Sequence, residues 1–126
     1  MNNIANIITK IRNAYLIKKR IVYIPYNNFS YEFVNILYKE GFIENIRYHN
    51  YKENKNIIII LTLKERKQIY IKYISNSHKK IYVNHKKLPK ILGGMGLSII
   101  STSSGLMTNK EASLKNIGGE VLLYIW

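Results

Sequence analysis

The sequence predicts an α+β protein made of two small, closely packed α+β units. Near the N-terminus, apolar residues recur at the spacing of one helical face. Later segments are short, rich in isoleucine and tyrosine, and separated by Gly, Pro and Asn, which is typical of strands and turns. We expect a helix-strand-helix-strand-strand unit over residues 1–72 and a β-rich unit with a short helix over residues 73–126.

The first helix is indicated by apolar residues at i, i+3, i+4 and i+7 of one face, namely Ile4, Ile7, Ile8, Ile11 and Tyr15. Asn2 or Asn3 can cap this helix, because a short amide oxygen accepts hydrogen bonds from the free N–H groups of the first turn. The segment is also basic and amphipathic, as in an organellar transit peptide. The regular helical period favours an ordinary first helix of the mature protein.

A second helix is predicted from Phe29 to Glu40, because Asn27 and Asn28 precede it and Gly41 follows in the usual C-terminal position. The strands of this unit are predicted at residues 20–25, 42–48 and 57–63. The run of isoleucines at 57–60 does not alternate with polar residues, so we expect this strand to be covered on both faces.

The second unit begins near a strand at residues 69–74, at the junction of the two halves. After a polar loop at 75–80, we expect a short strand at 81–83, a turn or short helix at 88–92 and a strand at 97–100. A hydroxyl-rich loop, a short helix near 109–115, a Gly-Gly turn and a last strand at 120–126 follow.

The net charge of +13 points to a polyanionic partner: nucleic acid, an anionic membrane surface or an acidic protein. All 7 acidic residues are glutamates, scattered singly, and cysteine is absent. The 3 histidines lack metal-ligand spacing. We therefore expect no enzyme, no cofactor, no metal site and no small-molecule substrate. The longest apolar run is 6 residues, far short of a membrane span. Only the helix at Ile4 to Tyr15 could bind a membrane surface, and its apolar face is needed for the core, so we expect no membrane partner.

The best nucleic-acid candidate is the segment Ser101, Thr102, Ser103, Ser104 and Gly105. Its hydroxyls can donate and accept hydrogen bonds, and its glycine allows close backbone approach, which suits the shallow minor groove of A-form RNA. An ordinary turn between two strands has the same composition.

A cluster of lysines forms the second candidate. Five positive charges within 12 residues, with no acidic residue between them, can follow a phosphate backbone or form a solvated face: Lys79, Lys80, Lys86, Lys87 and Lys90. Tyr82 lies among them and can stack on a base or pack on the sheet.

The C-terminal third resembles the bacterial-type family of the eighth small-subunit ribosomal protein. The resemblance rests on residues 94–108, Glu111-Ala112 and 118–126. It extends over the whole chain through Ile4-Ala5, Thr9 to Ala14, Glu40 to Ile43 and Leu88 to Lys90. It implies a two-part α+β protein that binds the central domain of small-subunit ribosomal RNA early in assembly, beside neighbouring ribosomal proteins.

The resemblance also assigns roles to residues. It implies that Ser101, Thr102 and Ser103 dock against the RNA minor groove and that Gly118, Gly119 and Glu120 shape the same surface. It further implies that Tyr82 faces RNA and that the first helix meets a second RNA surface through Lys10, Arg12 and Asn13.

The chain departs from the family pattern in several places. Ser104 replaces the usual lysine. Asparagines stand where aspartate is common, at Asn2, Asn3, Asn6 and Asn109, and Asn109 is expected to cap the short helix. Residues 76–78 replace the usual Lys/Arg-Pro-Gly turn. The alternative function is a basic module that binds DNA or an anionic membrane. The richness in Ile, Asn, Lys and Tyr indicates an A/T-rich genome, either of a plastid-type organelle such as an apicoplast or of a bacterium.

Overall fold

A computed structural model describes residues 3–51, 56–64, 69–74, 82–83 and 96–126. The chain forms two compact units, Met1–Gln68 and Ile69–Trp126. Both contain helices and antiparallel sheet, which confirms the predicted α+β class. The expected boundary after residue 72 falls inside the strand Ile71–Tyr73, which pairs with the last strand of the chain and so belongs to the second unit.

The first unit has the predicted order of two helices and three strands. Its elements are α1 (Asn3–Leu16), β1 (Ile21–Pro25), α2 (Asn28–Lys39), β2 (Ile43–Tyr51) and β3 (Asn56–Leu63). The sheet order is β1-β3-β2, with both pairs antiparallel. Pro25 is compatible with β1 because this strand is an edge and a proline cannot donate to a ladder.

The core of the first unit lies between its helices and one face of the sheet. Phe33 of α2, Ile24 of β1, and Ile59 and Leu61 of β3 are fully buried. Ile58 and Ile60, which point the other way, are only half-buried. The strand is therefore fully buried on one face and only partly covered on the other, which is less than the expected covering of both faces.

The second helix begins with a reciprocal cap. Asn27 Oδ1 accepts a hydrogen bond from Ser30 N at 2.8 Å, and Ser30 Oγ accepts one from Asn27 N at 2.9 Å. Ser30 Oγ also donates to the carbonyl of Pro25 at 2.9 Å, which ties the helix to the end of β1. The helix begins at Asn28, one residue before the predicted start at Phe29, and Asn27 is its N-cap. This cap satisfies backbone groups that would otherwise lack partners.

The three helices within the described ranges end in the same way, with one residue in the left-handed region. These residues are Lys18 at φ 57°, Gly41 at φ 84° and Asn116 at φ 56°. At α1, Lys19 N donates to Ala14 O at 2.8 Å and Lys18 N donates to Tyr15 O at 3.2 Å, the paired bonds of a Schellman cap. Glycine and asparagine suit this position, whereas lysine is strained there.

Lys18→Gly is expected to raise the free energy of unfolding by about 1 kcal/mol, because glycine adopts the left-handed conformation without steric cost. Chemical denaturation followed by circular dichroism measures this change. Lys19→Gly is the matched control and should give no gain. A Lys18→Gly variant that is less stable than the parent would contradict the expected relief of strain.

The described residues of the second unit form a five-stranded sheet and one short helix. Its elements are β4 (Ile71–Tyr73), β5 (Tyr82–Val83), β6 (Leu97–Thr102), β7 (Gly105–Thr108), α3 (Asn109–Leu114) and β8 (Gly119–Ile125). The order is β4-β8-β6-β7, and β5 pairs with the start of β8. Strand β7 was not predicted, and the turn or short helix expected at 88–92 lies outside the described residues.

Asn109 does not cap α3, contrary to expectation. The cap is Thr108, whose Oγ1 accepts a hydrogen bond from Glu111 N at 3.2 Å. Asn109 Oδ1 instead accepts one from Ser98 N on β6, at 3.1 Å. The amide at position 109 therefore attaches the helix to the sheet, and the preceding threonine supplies the cap.

Ser98 is fully buried, and its Oγ has no hydrogen-bond partner among the described residues. A buried hydroxyl without a partner is destabilising, because it has lost its bonds to water. We expect Ser98→Ala to raise the free energy of unfolding by about 1 kcal/mol, measured by chemical denaturation. Ser113→Ala, at an exposed position of α3, is the control. A loss of stability in Ser98→Ala would show that the Ser98 hydroxyl does make a hydrogen bond.

Candidate nucleic-acid interface

The hydroxyl-rich segment forms the end of a β-hairpin. Ser101 and Thr102 belong to strand β6, so the expected loop at 101–105 is reduced to a two-residue turn, Ser103 and Ser104. Gly105 follows at φ 104°, a conformation that residues with a Cβ atom rarely adopt, and pairs directly with Thr102. Both turn residues are exposed.

The four hydroxyls of this hairpin have different roles. Thr102 Oγ1 donates to the Gly105 carbonyl at 2.8 Å and accepts from Ser104 N at 3.1 Å. This hydroxyl therefore closes the turn. Ser103 makes no side-chain hydrogen bond within the described part of the chain, so its hydroxyl is available to an external group.

The hairpin is built onto the start of strand β8. In the cross-strand register, Leu106, Ser101, Glu120 and Tyr82 form one row across β7, β6, β8 and β5. Leu106, Ser101 and Glu120 therefore share a face of the sheet, and Tyr82 is placed beside Glu120 by its backbone pairing. The fold thus brings together three residues that were predicted as site residues from separate parts of the sequence.

Gly119 allows the two strands to approach closely. A Cβ atom at this position would lie 2.3 Å from the carbonyl oxygen of Ser101 and 3.1 Å from Ile100 Cγ2. No side chain fits that space, because the neighbouring atom belongs to the backbone. Gly118, half-buried, precedes it in the turn after α3. Gly119 therefore contributes to the surface by packing and carries no contact group of its own.

A bulge lies just behind this row. The register between β6 and β8 shifts between Ile99 and Ile100, so that Ile99 faces Leu123 and Ile100 faces Val121. Leu122, the extra residue, accepts a backbone hydrogen bond from Ile74 N at 2.8 Å. Bulges increase local twist and redirect side chains. Here the shift gives buried positions at both Ile99 and Ile100 while Ser101 stays partly exposed.

Helix α1 carries the other predicted site residues. Lys10, Arg12 and Asn13 are all exposed. Lys10 and Asn13 lie on the same side of the helix, whereas Arg12 does not share a face with Lys10 at a spacing of two residues. The structure therefore brings Lys10 and Asn13 together and places Arg12 on another flank.

Two grooves run beside this helix and share Lys10. One, of about 340 Å³, is lined by Asn6, Thr9 and Asn27 among others, and the second, of about 300 Å³, by Asn13 and Lys19. Asn6 and Thr9 were not predicted as site residues. The helical period that was applied to the apolar residues also places Asn6, Lys10 and Asn13 in one stripe.

Some predicted site residues are only partly described. Lys80 and Lys86, with the rest of the lysine cluster, lie outside the described residues, and Tyr82 is described by its backbone pairing alone. The described residues contain no group of three or more His, Asp or Glu that could hold a metal ion. No helix in the described ranges is long and apolar enough to cross a membrane.

The family model for ribosomal protein S8 matches residues 2–126. The chain belongs to this family. It is 51% identical to a small ribosomal subunit protein uS8c of Phaseolus vulgaris, across 99% of this chain and 98% of the relative. A protein of the same name from Physcomitrium patens is 50% identical, and one from Morus indica 47%, with the same coverage.

Membership of the S8 family confirms the function expected from the resemblance. The chain is a structural constituent of the small ribosomal subunit and is not an enzyme. The relatives are chloroplast-type proteins, in agreement with the plastid-type source expected from composition.

Proposed function

We propose that the chain binds the central domain of small-subunit ribosomal RNA through the hairpin tip of its second unit and supports assembly of the subunit. One observation carries this proposal: an exposed Ser103-Ser104 tip is held by the Thr102 hydroxyl and by the close approach of Gly119 to Ser101. A rigid, neutral, hydroxyl-bearing tip fits the wide minor groove of A-form RNA, where 2′-hydroxyls and base edges are accessible.

The net charge of +13 supplies attraction to the RNA that does not depend on sequence. Lys10 and Asn13 on α1 form a second contact surface in this proposal, and Arg12 contacts a different RNA segment. Glu120 accepts hydrogen bonds from RNA donors such as a 2′-hydroxyl or an amino group, because its carboxylate shares a row with Ser101. Lys80, Tyr82 and Lys86 are proposed to extend the same surface.

The proposed location is the ribosome of an A/T-rich plastid-type organelle, such as an apicoplast, next to other small-subunit ribosomal proteins. The chloroplast-type relatives and the large share of Ile, Asn, Lys and Tyr support this location. An A/T-rich bacterium is the alternative.

Ser103→Ala is expected to weaken binding to a transcript of the rRNA central domain by about three- to tenfold, the loss of one hydrogen bond. Binding to random RNA should not change. The combined Ser103→Ala and Thr102→Ala change should lower the specific affinity further. Filter binding at several salt concentrations measures both affinities.

Lys10→Gln is the matched control, because it removes one positive charge that can contact an RNA phosphate. It should weaken binding to both the transcript and random RNA, and it should reduce the slope of log affinity against log salt by about 0.7 to 0.9. If Ser103→Ala weakened specific and random RNA equally, the tip would not be a specific docking element. Tight binding of the parent chain to duplex DNA or anionic vesicles, without preference for the transcript, would favour the alternative function.

A further inference from the structure

Three tyrosine rings meet at one end of the first unit, and we call them the tyrosine cluster: Tyr26, Tyr31 and Tyr48. The ring centroids are 5.8 Å apart for Tyr26 and Tyr31, 6.0 Å for Tyr31 and Tyr48, and 6.5 Å for Tyr26 and Tyr48. At these distances each ring contacts the other two. None of the three residues belongs to the hairpin tip or lines the two grooves beside α1.

The cluster arises from the alternation of side chains along the strands. Tyr48 pairs with the fully buried Ile59, so both lie on the core face of the sheet. Tyr26 comes two residues after the fully buried Ile24 and continues the ladder of β1, with its N–H bonded to β3 at 2.9 Å. Tyr31 is in the first turn of α2. Three separate elements therefore bring the rings together at the edge of the core.

The rings are open to solvent but are not arranged to stack on RNA. Tyr26 is 39% exposed, Tyr31 43% and Tyr48 47%. The planes of the three ring pairs are inclined to each other by 54°, 70° and 38°. A planar base cannot lie flat on two rings that are inclined in this way, whereas single-strand binding proteins offer flat aromatic faces to successive bases. The contacts of the cluster are therefore between the rings themselves.

Close tyrosine rings share one characteristic reaction, the coupling of two phenoxyl radicals. The chain has no cysteine, so no thiol competes for the oxidising equivalents. Its one tryptophan, Trp126, lies in the second unit and stacks on Tyr70. Exposed side chains change rotamer within picoseconds to nanoseconds, so two rings already in contact can reach the geometry for bond formation.

We propose that the tyrosine cluster is a site of oxidative coupling, in which Tyr31 forms a carbon–carbon bond with Tyr26 or Tyr48. The oxidant is hydrogen peroxide acting through a haem peroxidase. Each of two phenols gives up one electron and one proton, so two O–H bonds break. The two radicals join through ortho carbons, and the two ortho hydrogens then move to the oxygens and restore both phenols. The peroxide O–O bond breaks, and the two electrons and two protons convert the peroxide to two waters.

Tyr31 is the central partner because it belongs to the two ring pairs with the shortest centroid distances. A bond to Tyr26 links α2 to the end of β1, and a bond to Tyr48 links α2 to β2. Either bond fastens the helix to the sheet. A covalent link of this kind stabilises a fold mainly by restricting the unfolded chain. The inference concerns the first unit alone and is independent of RNA binding.

The first test treats the full chain with a haem peroxidase and hydrogen peroxide. We expect dityrosine fluorescence in a product that migrates as a monomer under denaturing conditions and is lighter than the parent by two hydrogen atoms. Mass spectrometry of tryptic peptides should place the bond within residues 21–39 or between residues 21–39 and 48–52. Dityrosine confined to dimers, or a bond that involves Tyr70 or Trp126, would overturn the proposal.

Phenylalanine variants identify the coupled rings. Tyr31→Phe should lower the yield of monomeric dityrosine roughly fivefold, because phenylalanine packs in the same place but has no O–H bond to break. Tyr26→Phe or Tyr48→Phe alone should have a smaller effect, since Tyr31 keeps its other partner. A chain with all three changes should form no dityrosine as a monomer.

Tyr23→Phe and Tyr38→Phe are the matched controls. These tyrosines are 55% and 49% exposed, and neither contacts an aromatic ring of the described residues. Both variants should give the parent's yield. An equal loss in Tyr31→Phe and Tyr38→Phe would show that coupling follows exposure and not proximity, and the proposal would then be wrong.

Thermal unfolding tests the effect of the bond on the fold. The coupled monomer should melt several degrees above the untreated chain, because its unfolded state is restricted. Peroxidase-treated Tyr31→Phe is the control and should melt as its untreated form does. An unchanged melting temperature of the coupled monomer would contradict the fastening of α2 to the sheet.

Discussion

Gly119→Ala is expected to lower the free energy of unfolding of the chain by roughly 3 kcal/mol and its affinity for the central-domain transcript at least tenfold. The added Cβ would meet the Ser101 carbonyl oxygen at 2.3 Å. This oxygen belongs to the backbone, so β6 and β8 must separate before the methyl group fits. Forced overpacking of this kind costs about 1 to 3 kcal/mol, and this contact lies at the upper end.

Thermal unfolding followed by circular dichroism should show a melting temperature lower by on the order of 10 °C. Ser113→Ala, an exposed change in the same unit, should leave both stability and RNA affinity unchanged. A Gly119→Ala chain with the parent's stability would mean that β8 pairs with β6 less closely than the geometry indicates. If the Gly119→Ala chain were destabilised but kept its RNA affinity, Gly119 would be needed for stability and not for RNA binding.

Thr102→Val should weaken RNA binding about tenfold and lower the free energy of unfolding by about 1 to 2 kcal/mol. The change preserves shape and β-propensity but removes the hydroxyl that bonds Gly105 O and Ser104 N. Ordering one released backbone residue costs about 1 to 2 kcal/mol, and 1.4 kcal/mol corresponds to a factor of ten in affinity. Isothermal titration with the transcript and chemical denaturation measure the two effects.

Comparison with two other variants identifies the cause of the loss. Thr102→Ser keeps the hydroxyl and should restore most of the affinity. Ser103→Ala should reduce affinity with no change in stability, because that hydroxyl is not used within the described part of the fold. Equal stability losses in Thr102→Val and Ser103→Ala would contradict the separate roles assigned to the two hydroxyls.

Local patterns were sufficient to predict both longer helices. The spacing of Ile7, Ile8 and Ile11 predicts the buried face of α1, and the Asn27 and Gly41 signals delimit α2 to within one or two residues. These features are encoded within a few residues of each other. Their physical basis is helical periodicity and the hydrogen bonding of helix ends, which the sequence displays directly.

Features that depend on distant partners were predicted less well. Ser101 and Thr102 have the composition of a turn, yet they extend strand β6 because they pair with β7 on one side and Glu120 pairs with Ser101 on the other. Asn109 was expected to cap α3 from its position alone. Its actual partner, Ser98 N, is 11 residues away in the sequence.

The candidate site shows the same limit. The hydroxyl tip was predicted from five adjacent residues, but the reason for Gly119 is a contact with a strand 18 residues earlier. No local pattern distinguishes Thr102, whose hydroxyl closes the turn, from Ser103, whose hydroxyl remains available to an external group. The arrangement on α1 was easier to predict, because the helical spacing already places Arg12 on a different side from Lys10 and Asn13.

The bulge at Leu122 has a consequence for how this protein can change during evolution. On one side of it, Leu97, Ile99 and Ile125 form apolar ladder positions, and on the other side lies the row that contains Ser101 and Glu120. Leu122 has no partner on β6, so it can absorb small changes in the alignment of β6 and β8 before they reach the next residue pair. Substitutions that repack the apolar positions can therefore accumulate with little effect on the row proposed to contact RNA. Core packing and RNA binding can thus be selected separately within a single strand.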